Sequence, residues 1–296
     1  MDVETSSFMP SSQPMVSKRI LRQRILKPLP AEEAVQKRKC RHHKKNEKNL
    51  KLARVANEVE DEVVQVLRTR SSPLQLCLTI QNFQIEQRKF VTAMGLKSIL
   101  HFSIEYIPSR LGFFVVDNFD DERMVLKLPV GELEITKNSI QKMLGFPTGP
   151  ICITQKITNS NDKVVRCWRN QFPQTKKEIH PSLVVEHMKQ QIDGGDMLKL
   201  NFFVLVATCL CESMKAGTAN QRLLHCIAHK EDIDNLDWCE FVIDCLKRSK
   251  KNWNRADPTS YYCGPLMFLI LLYVDGLLCK DLHVERSSPA IKIWTT

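Results

Sequence analysis

Apolar positions are sparse and unpatterned before Ser71-Ser72-Pro73 and recur at structured spacings after it. The segment LQLCLTIQNFQIEQRKFVTAMG (74–95) predicts a helix that ends at Gly95, because glycine accepts the left-handed backbone of a helix terminus. IPSRLGFFVVDNFD predicts a second helix, opened by Pro108-Ser109 and stopped near Asn118. In RMVLKLPVGELEIT, alternating apolar residues flank Pro129-Val130-Gly131-Glu132, the pattern of a β-hairpin near 123–136. Thr136 is placed to cap KNSIQKMLG, and Gly145 to end it. FPTGPICI reads as a turn that leads into a short extended piece. TQKITNSNDK reads as an exposed loop, KVVRCWRNQF as one helix, and KKEIHP as a further turn.

From 181 the pattern is helical throughout. PSLVVEHMKQQI opens with proline at a first-turn position, where no backbone donor is needed. Gly194-Gly195 breaks the chain. MLKLNFFVLVATCLCESMK is apolar on nearly every side of its middle and belongs at the centre of a core. NQRLLHCIAHK predicts another helix. IDNLDWCEFVIDCLKRSKKNW places Leu236, Cys239, Val242, Ile243 and Leu246 at helical spacing and ends in cations that suit a helix C-terminus. YYCGPLMFLILLYVDGLLC is a core helix introduced by Cys263-Gly264-Pro265, with Pro265 expected in its first turn. The fold class expected is mainly α: a helical domain over 74–296 with one small β-hairpin, and a possible lobe boundary in the 154–180 loop. It is preceded by a disordered basic tail and linker, 1–73, with a short helix expected within 58–73.

Charge sharpens that division. Residues 1–57 hold 14 Lys/Arg against 5 Asp/Glu, whereas residues 58–296 hold 29 against 28. The basic character is therefore a property of the tail, and a near-neutral body gives no global argument for a nucleic-acid surface. Two clusters stand out, Lys37–Arg41 and Lys44–Lys51. Their residues Lys37, Arg38, Lys39, Arg41, Lys44, Lys45 and Lys48 resemble a nuclear-localisation signal and point to a nuclear protein. The same residues offer nonspecific nucleic-acid contact through counterion release. The eleven cysteines are odd in number and contain no Cys-x-x-Cys pair, so free thiols in a reducing compartment are expected. The first fifteen residues show no secretory pattern. The longest apolar stretch, Leu266–Val274, is too short to cross a bilayer, so no membrane partner is expected.

Candidate chemistry is thin. Cys263 before a long apolar helix is the arrangement of some cysteine nucleophiles, which also need a base, an orienting group and an oxyanion donor. The last glutamine before it is Gln221, and His180, His187, His225 and His229 do not fall in the order of a His-Asp-Cys set. The competing reading is a cysteine ahead of a core helix. His225 and His229 lie one turn apart and could share a metal, with Asp232 or Cys239 as a third ligand; ordinary surface histidines explain them as well. Cys209 and Cys211 face different ways on a helix and read as structural. Gly194-Gly195 lacks the lysine of a phosphate loop, and no cofactor is expected. The hairpin and helix over 123–145 resemble a wing beside a recognition helix, with Lys137, Asn138 and Gln141 reaching a DNA groove. Packing of Ile140, Met143 and Leu144 against the hairpin explains that unit without DNA.

Three segments, RLGFFVVDNFDDERMVLKLPVGELEITKNSIQKMLGFPTGP, NLDWCEFVIDCLKRSKKNW and YYCGPLMFLILLYVD with the later SSPAIKIW, together resemble a plant-specific, transposon-derived family related to the plant mobile domain. The resemblance covers roughly residues 90–296. In that family this region stands N-terminal to an Ulp1-like (SUMO-protease-type) cysteine peptidase domain, and the Cys-Gly-Pro segment belongs to the non-catalytic part. The resemblance implies a truncated relic or stand-alone module with no catalytic residue of the family in it. The function expected is a non-enzymatic nuclear module that binds a protein partner. An Ulp1-like cysteine peptidase and a DNA-binding module are the alternatives.

Overall fold

The computed structural model describes residues 65–154, 163–173, 175, 177–226, 233, 235–277 and 288–295. The basic tail, most of the 154–162 loop and His229 lie outside them. The described chain is mainly helical, as its patterning requires. Its helices are α1 Pro73–Gln81, α2 Ile85–Ala93, α3 Ser109–Asp117, α4 Lys137–Leu144, α5 Lys163–Arg169, α6 Pro181–Gln190, α7 Asp196–Val206, α8 Trp238–Lys251 and α9 Leu266–Gly276. Short strands join them in three small sheets. β2 (Phe119–Asp120), β3 (Val125–Leu128) and β4 (Gly131–Glu134) are antiparallel. β1 (Arg68–Thr69) runs parallel to β7 (Tyr261–Tyr262), and β5 (Ile151–Cys152) parallel to β6 (Leu236–Asp237).

Local chemistry explains most boundaries. The Thr136 side chain accepts from the Ser139 amide, and Ser139 Oγ accepts from the Thr136 amide, so α4 begins with two backbone donors satisfied. It ends at Gly145, whose φ of 67° is left-handed and whose Cα faces Ser98 and Pro289 too closely to admit a Cβ. Asp237 caps α8 by accepting from the Glu240 amide. Lys137 then bridges Asp237 at 2.8 Å and Glu240 at 2.9 Å, tying the start of α4 to the start of α8. Lys250 donates to the last carbonyls of α3, Val116 O at 2.6 Å and Asp117 O at 3.1 Å.

The core is built on α7 and α9, each buried on nearly every side. The end of α7 widens into a π-helical turn over Ala207–Cys211, closed by the Glu212 amide donating to Ala207 O at 2.7 Å. Polar order inside the core comes from Asn201, which is fully buried. Its Oδ1 accepts from Trp168 Nε1 and Gln171 Nε2, and its amide donates to Gln171 and Gln191.

Several local expectations change. Within 65–72 the chain is not helical: Leu67 is buried and Arg68–Thr69 pair with Tyr261–Tyr262, so an interstrand partner outweighs local preference. The helix of 74–95 is two helices, because Asn82 folds back onto Leu78 O and Arg88 donates to Ile80 O and Phe83 O across the bend. Leu236 lies in β6 rather than on α8, and the hairpin gains a third strand, β2. Of NQRLLHCIAHK the described part forms only a 3-10 turn, Gln221–Cys226. Contacts cross the 154–180 segment: α1 packs on α6, α2 on α7, and α4 on α8.

Replacing Asn201 with leucine should strand Trp168 Nε1 and the Gln171 amide in a buried site. We expect a loss of about 1–3 kcal/mol, read from the urea midpoint with an unchanged slope.

Candidate functional site

The strand β7 and the residue after it bring Tyr261 and Cys263 to the rim of a surface cleft of about 350 Å³. Pairing with β1 fixes that strand, and Arg70 stacks on the Tyr261 ring at 4.7 Å. The opposite wall is the loop that leaves the π turn, Glu212 to Ala216. Backbone bonding seats this loop: the Ser213 amide donates to Cys263 O at 2.8 Å, and Asn220 Nδ2 donates to Glu212 O at 3.2 Å. Ser249 and Asn252, from the end of α8, and Arg222, from the 3-10 turn, complete the cleft.

Cys263-Gly264-Pro265 has a packing explanation. A Cβ at Gly264 would sit 2.6 Å from the Tyr262 hydroxyl and 2.7 Å from Ser249 Cβ, so only glycine fits between them. Pro265 occupies the cap position just before α9 rather than its first turn, and the Leu266 amide donates to Gly264 O. Cys263 therefore stands outside the helix, displaced from the amides that would stabilise a thiolate.

The electrostatics follow. Burial pushes the Cys263 thiol up; the Ser213 hydroxyl, Lys215 and Arg70 pull the other way and Glu212 adds to the rise. Desolvation wins, so the thiol stays protonated near neutrality. No imidazole is among the lining residues. Glu212 is held by Arg248 through two hydrogen bonds of 3.1 and 2.9 Å, with Cys245 beside the pair.

The other sequence candidates lie apart from this cleft. His180 faces Gly217 O at 3.1 Å and lines a separate depression of about 270 Å³ with Arg70, Gln75 and Thr208. His187 packs edge-on against Phe172. His225 sits half-buried on the 3-10 turn, while its proposed mate His229 and Asp232 are outside the described residues. Cys239 donates to Phe146 O, and burial drives its thiol up to about 12. Cys209 and Cys211 are buried on the π turn, and desolvation raises both, Cys209 to about 12. Among the described residues no three His, Cys, Asp or Glu side chains gather as metal ligands, and no helix is long and apolar enough to cross a membrane.

In the wing-and-helix candidate three cations are ion-paired. Arg123 pairs with Glu132, Lys127 with Asp120, and Lys137 with Asp237 and Glu240. Lys127, with help from the Arg123 amide, holds the Asp120 carboxyl down at about 2. Asn138 and Gln141 are exposed. Sequence reasoning missed Lys215, Arg222, Ser249 and Tyr261, because Lys215 lies in a plain loop and Ser249 is hidden within the basic run RSKK.

The buried thiols predict alkaline lability. Cys209 and Cys239 stay neutral in the folded chain up to about 12, whereas an unfolded thiol ionises near pH 8.5 or so, roughly the free value. Stability is thus full below that value and should fall as pH rises toward 12, by up to about 1.4 kcal/mol per pH unit for each thiol. Denaturant melts between neutral and alkaline pH check this, and substitution of Cys239 with alanine should flatten the slope.

Residues 69–270, more than half of the chain, match a family described as Domain of unknown function (DUF8566). No curated protein and no solved structure matches. The matched span begins inside β1, ends inside α9 and includes every residue that lines the Cys263 cleft, while the basic clusters of the tail precede it. On this evidence the chain belongs to the family of the Domain of unknown function (DUF8566).

Proposed function

We propose that this chain is a non-enzymatic nuclear binding module, transposon-derived and of plant type, whose helical domain engages a partner and whose basic tail carries the nuclear address. The observation that carries the non-enzymatic part is the state of Cys263: its thiol is raised by burial, and among the described residues no imidazole lines its cleft. A nucleophile needs the reverse on both counts. The nuclear part rests on Lys37, Arg38, Lys39, Arg41, Lys44, Lys45 and Lys48, which precede the matched family span. Their density also suits sequence-blind contact with nucleic acid, and the ion-paired state of the 123–145 unit leaves that contact to the tail. The plant and transposon part rests on the likeness of the three segments to the region that precedes peptidase domains in the plant mobile domain-related family.

Two experiments test this. A ubiquitin-like protein bearing a C-terminal electrophile should leave Cys263 unlabelled in folded protein; labelling that Cys263→Ala abolishes would make the chain a cysteine peptidase instead. A fluorescent fusion should accumulate in nuclei and redistribute when Lys37, Arg38, Lys39, Arg41, Lys44, Lys45 and Lys48 are replaced by alanine. The same replacement should remove most affinity for unrelated DNA duplexes, and uniform distribution of the parent fusion would refute the nuclear address.

A further inference from the structure

Helices α1 and α6 lie side by side, and a groove follows their seam. Three depressions open on it end to end. The first, of about 270 Å³, shares Gln75 and Ser182 with the second, of about 300 Å³. The second shares Thr79, Asn82 and Lys189 with the third, of about 110 Å³. The first residues of both helices stand at one end of the groove, and Asn82 and Ile192, just past their last residues, at the other, so the two helices run parallel.

The seam carries apolar side chains that the core does not use. Leu78, 45% exposed, and Ile192, 55% exposed, line it, and Leu74 stands one turn before Leu78 on the same stripe of α1. These are three of the eight large apolar residues exposed among the described residues. Val185 adds a partly buried side chain from α6. The polar side chains between them are engaged on their own helix: Thr79 Oγ1 donates to Gln75 O at 2.6 Å, and Asn82 Nδ2 donates to Leu78 O at 2.7 Å. Exposed apolar residues gathered inside a polar rim mark a surface of association.

The charged residues of the groove indicate what covers it. Glu186 and Lys189 line it, both exposed and one turn apart on α6. Neither is ion-paired with a described residue, whereas Glu86 and Lys89, at the same spacing on α2, are joined at 2.6 Å. One acid and one base sum to zero, so the groove attracts neither an acidic nor a basic partner. They complement a copy of themselves laid antiparallel.

We propose that this groove is the contact of a homodimer, with a second copy of the chain seated on it about a two-fold axis. The axis passes beside Met188 and runs across both helices, so α6 faces α6 and α1 faces α1, each pair antiparallel. Glu186 then meets the partner's Lys189, and the pair forms twice because a two-fold contact repeats every interaction. Leu78, Val185 and Ile192 of both copies leave water together. This inference goes beyond the nuclear-module reading and does not rest on it.

The test is sedimentation velocity on the nuclease-treated full chain, from low to high micromolar concentration. We expect a concentration-dependent shift toward twice the chain mass. Leu78→Glu and Ile192→Glu should each abolish the shift, and Val130→Glu, in the β3–β4 turn outside the groove, should leave it unchanged. All three positions are exposed, and circular dichroism checks the fold. Glu186→Lys and Lys189→Glu should each weaken self-association at least about tenfold, because like charges then face each other. An equimolar mixture of these two single variants should recover it, because opposite charges meet again at both contacts. A merely adhesive surface, or a groove built for a different protein, gives no such recovery. Monomer at every concentration, a dimer indifferent to both Leu78→Glu and Ile192→Glu, or no recovery in the mixture would each overturn the proposal.

Discussion

A helix that is apolar on every side must be enclosed from every side, and α9 imposes that condition on the whole domain. Seven consecutive residues, Leu266–Leu272, are buried. α3, α4, the π turn and the Ala290–Lys292 turn all pack against it. Segments far apart in sequence thus meet because one surface has to be removed from water, at about 25 cal/mol for each Å² of apolar area. The same enclosure forces the chain that enters α9 to the surface at Cys263, against the loop that leaves the π turn.

The cleft is a by-product of that junction, and its chemistry follows from the constraint. Gly264 leaves room for Tyr262 and Ser249 where a Cβ would stand, and Ser213 pins the Cys263 carbonyl. Burial that suits α9 raises the thiol beside it. Packing made the cavity.

Ion pairs have a different task at the edges. Lys137, Asp237 and Glu240 join the starts of α4 and α8, with Asp237 itself only 6% exposed. Isolated exposed pairs contribute little. This one fixes the relative position of two capped helices.

Much of the local structure was legible without coordinates. Thr136 and Gly145 bound α4, Pro181 opens α6, Asn118 stops α3, and the Pro129-Val130 turn closes the hairpin, because each depends on bonds within a few residues. The mainly helical class followed from apolar spacing. The two-residue strands did not, since Arg68–Thr69 become extended only through Tyr261–Tyr262, almost two hundred positions away. The bend at Asn82 needed Arg88 to reach across it. Cys263 could be singled out in the sequence, but its protonated state could not, because desolvation is set by what surrounds a group and not by its neighbours in the chain. Lys215, Arg222 and Ser249 have no common spacing at all. Periodicity and capping are short-range and are written in the residues themselves; the cleft that gathers these three exists only once the core has closed.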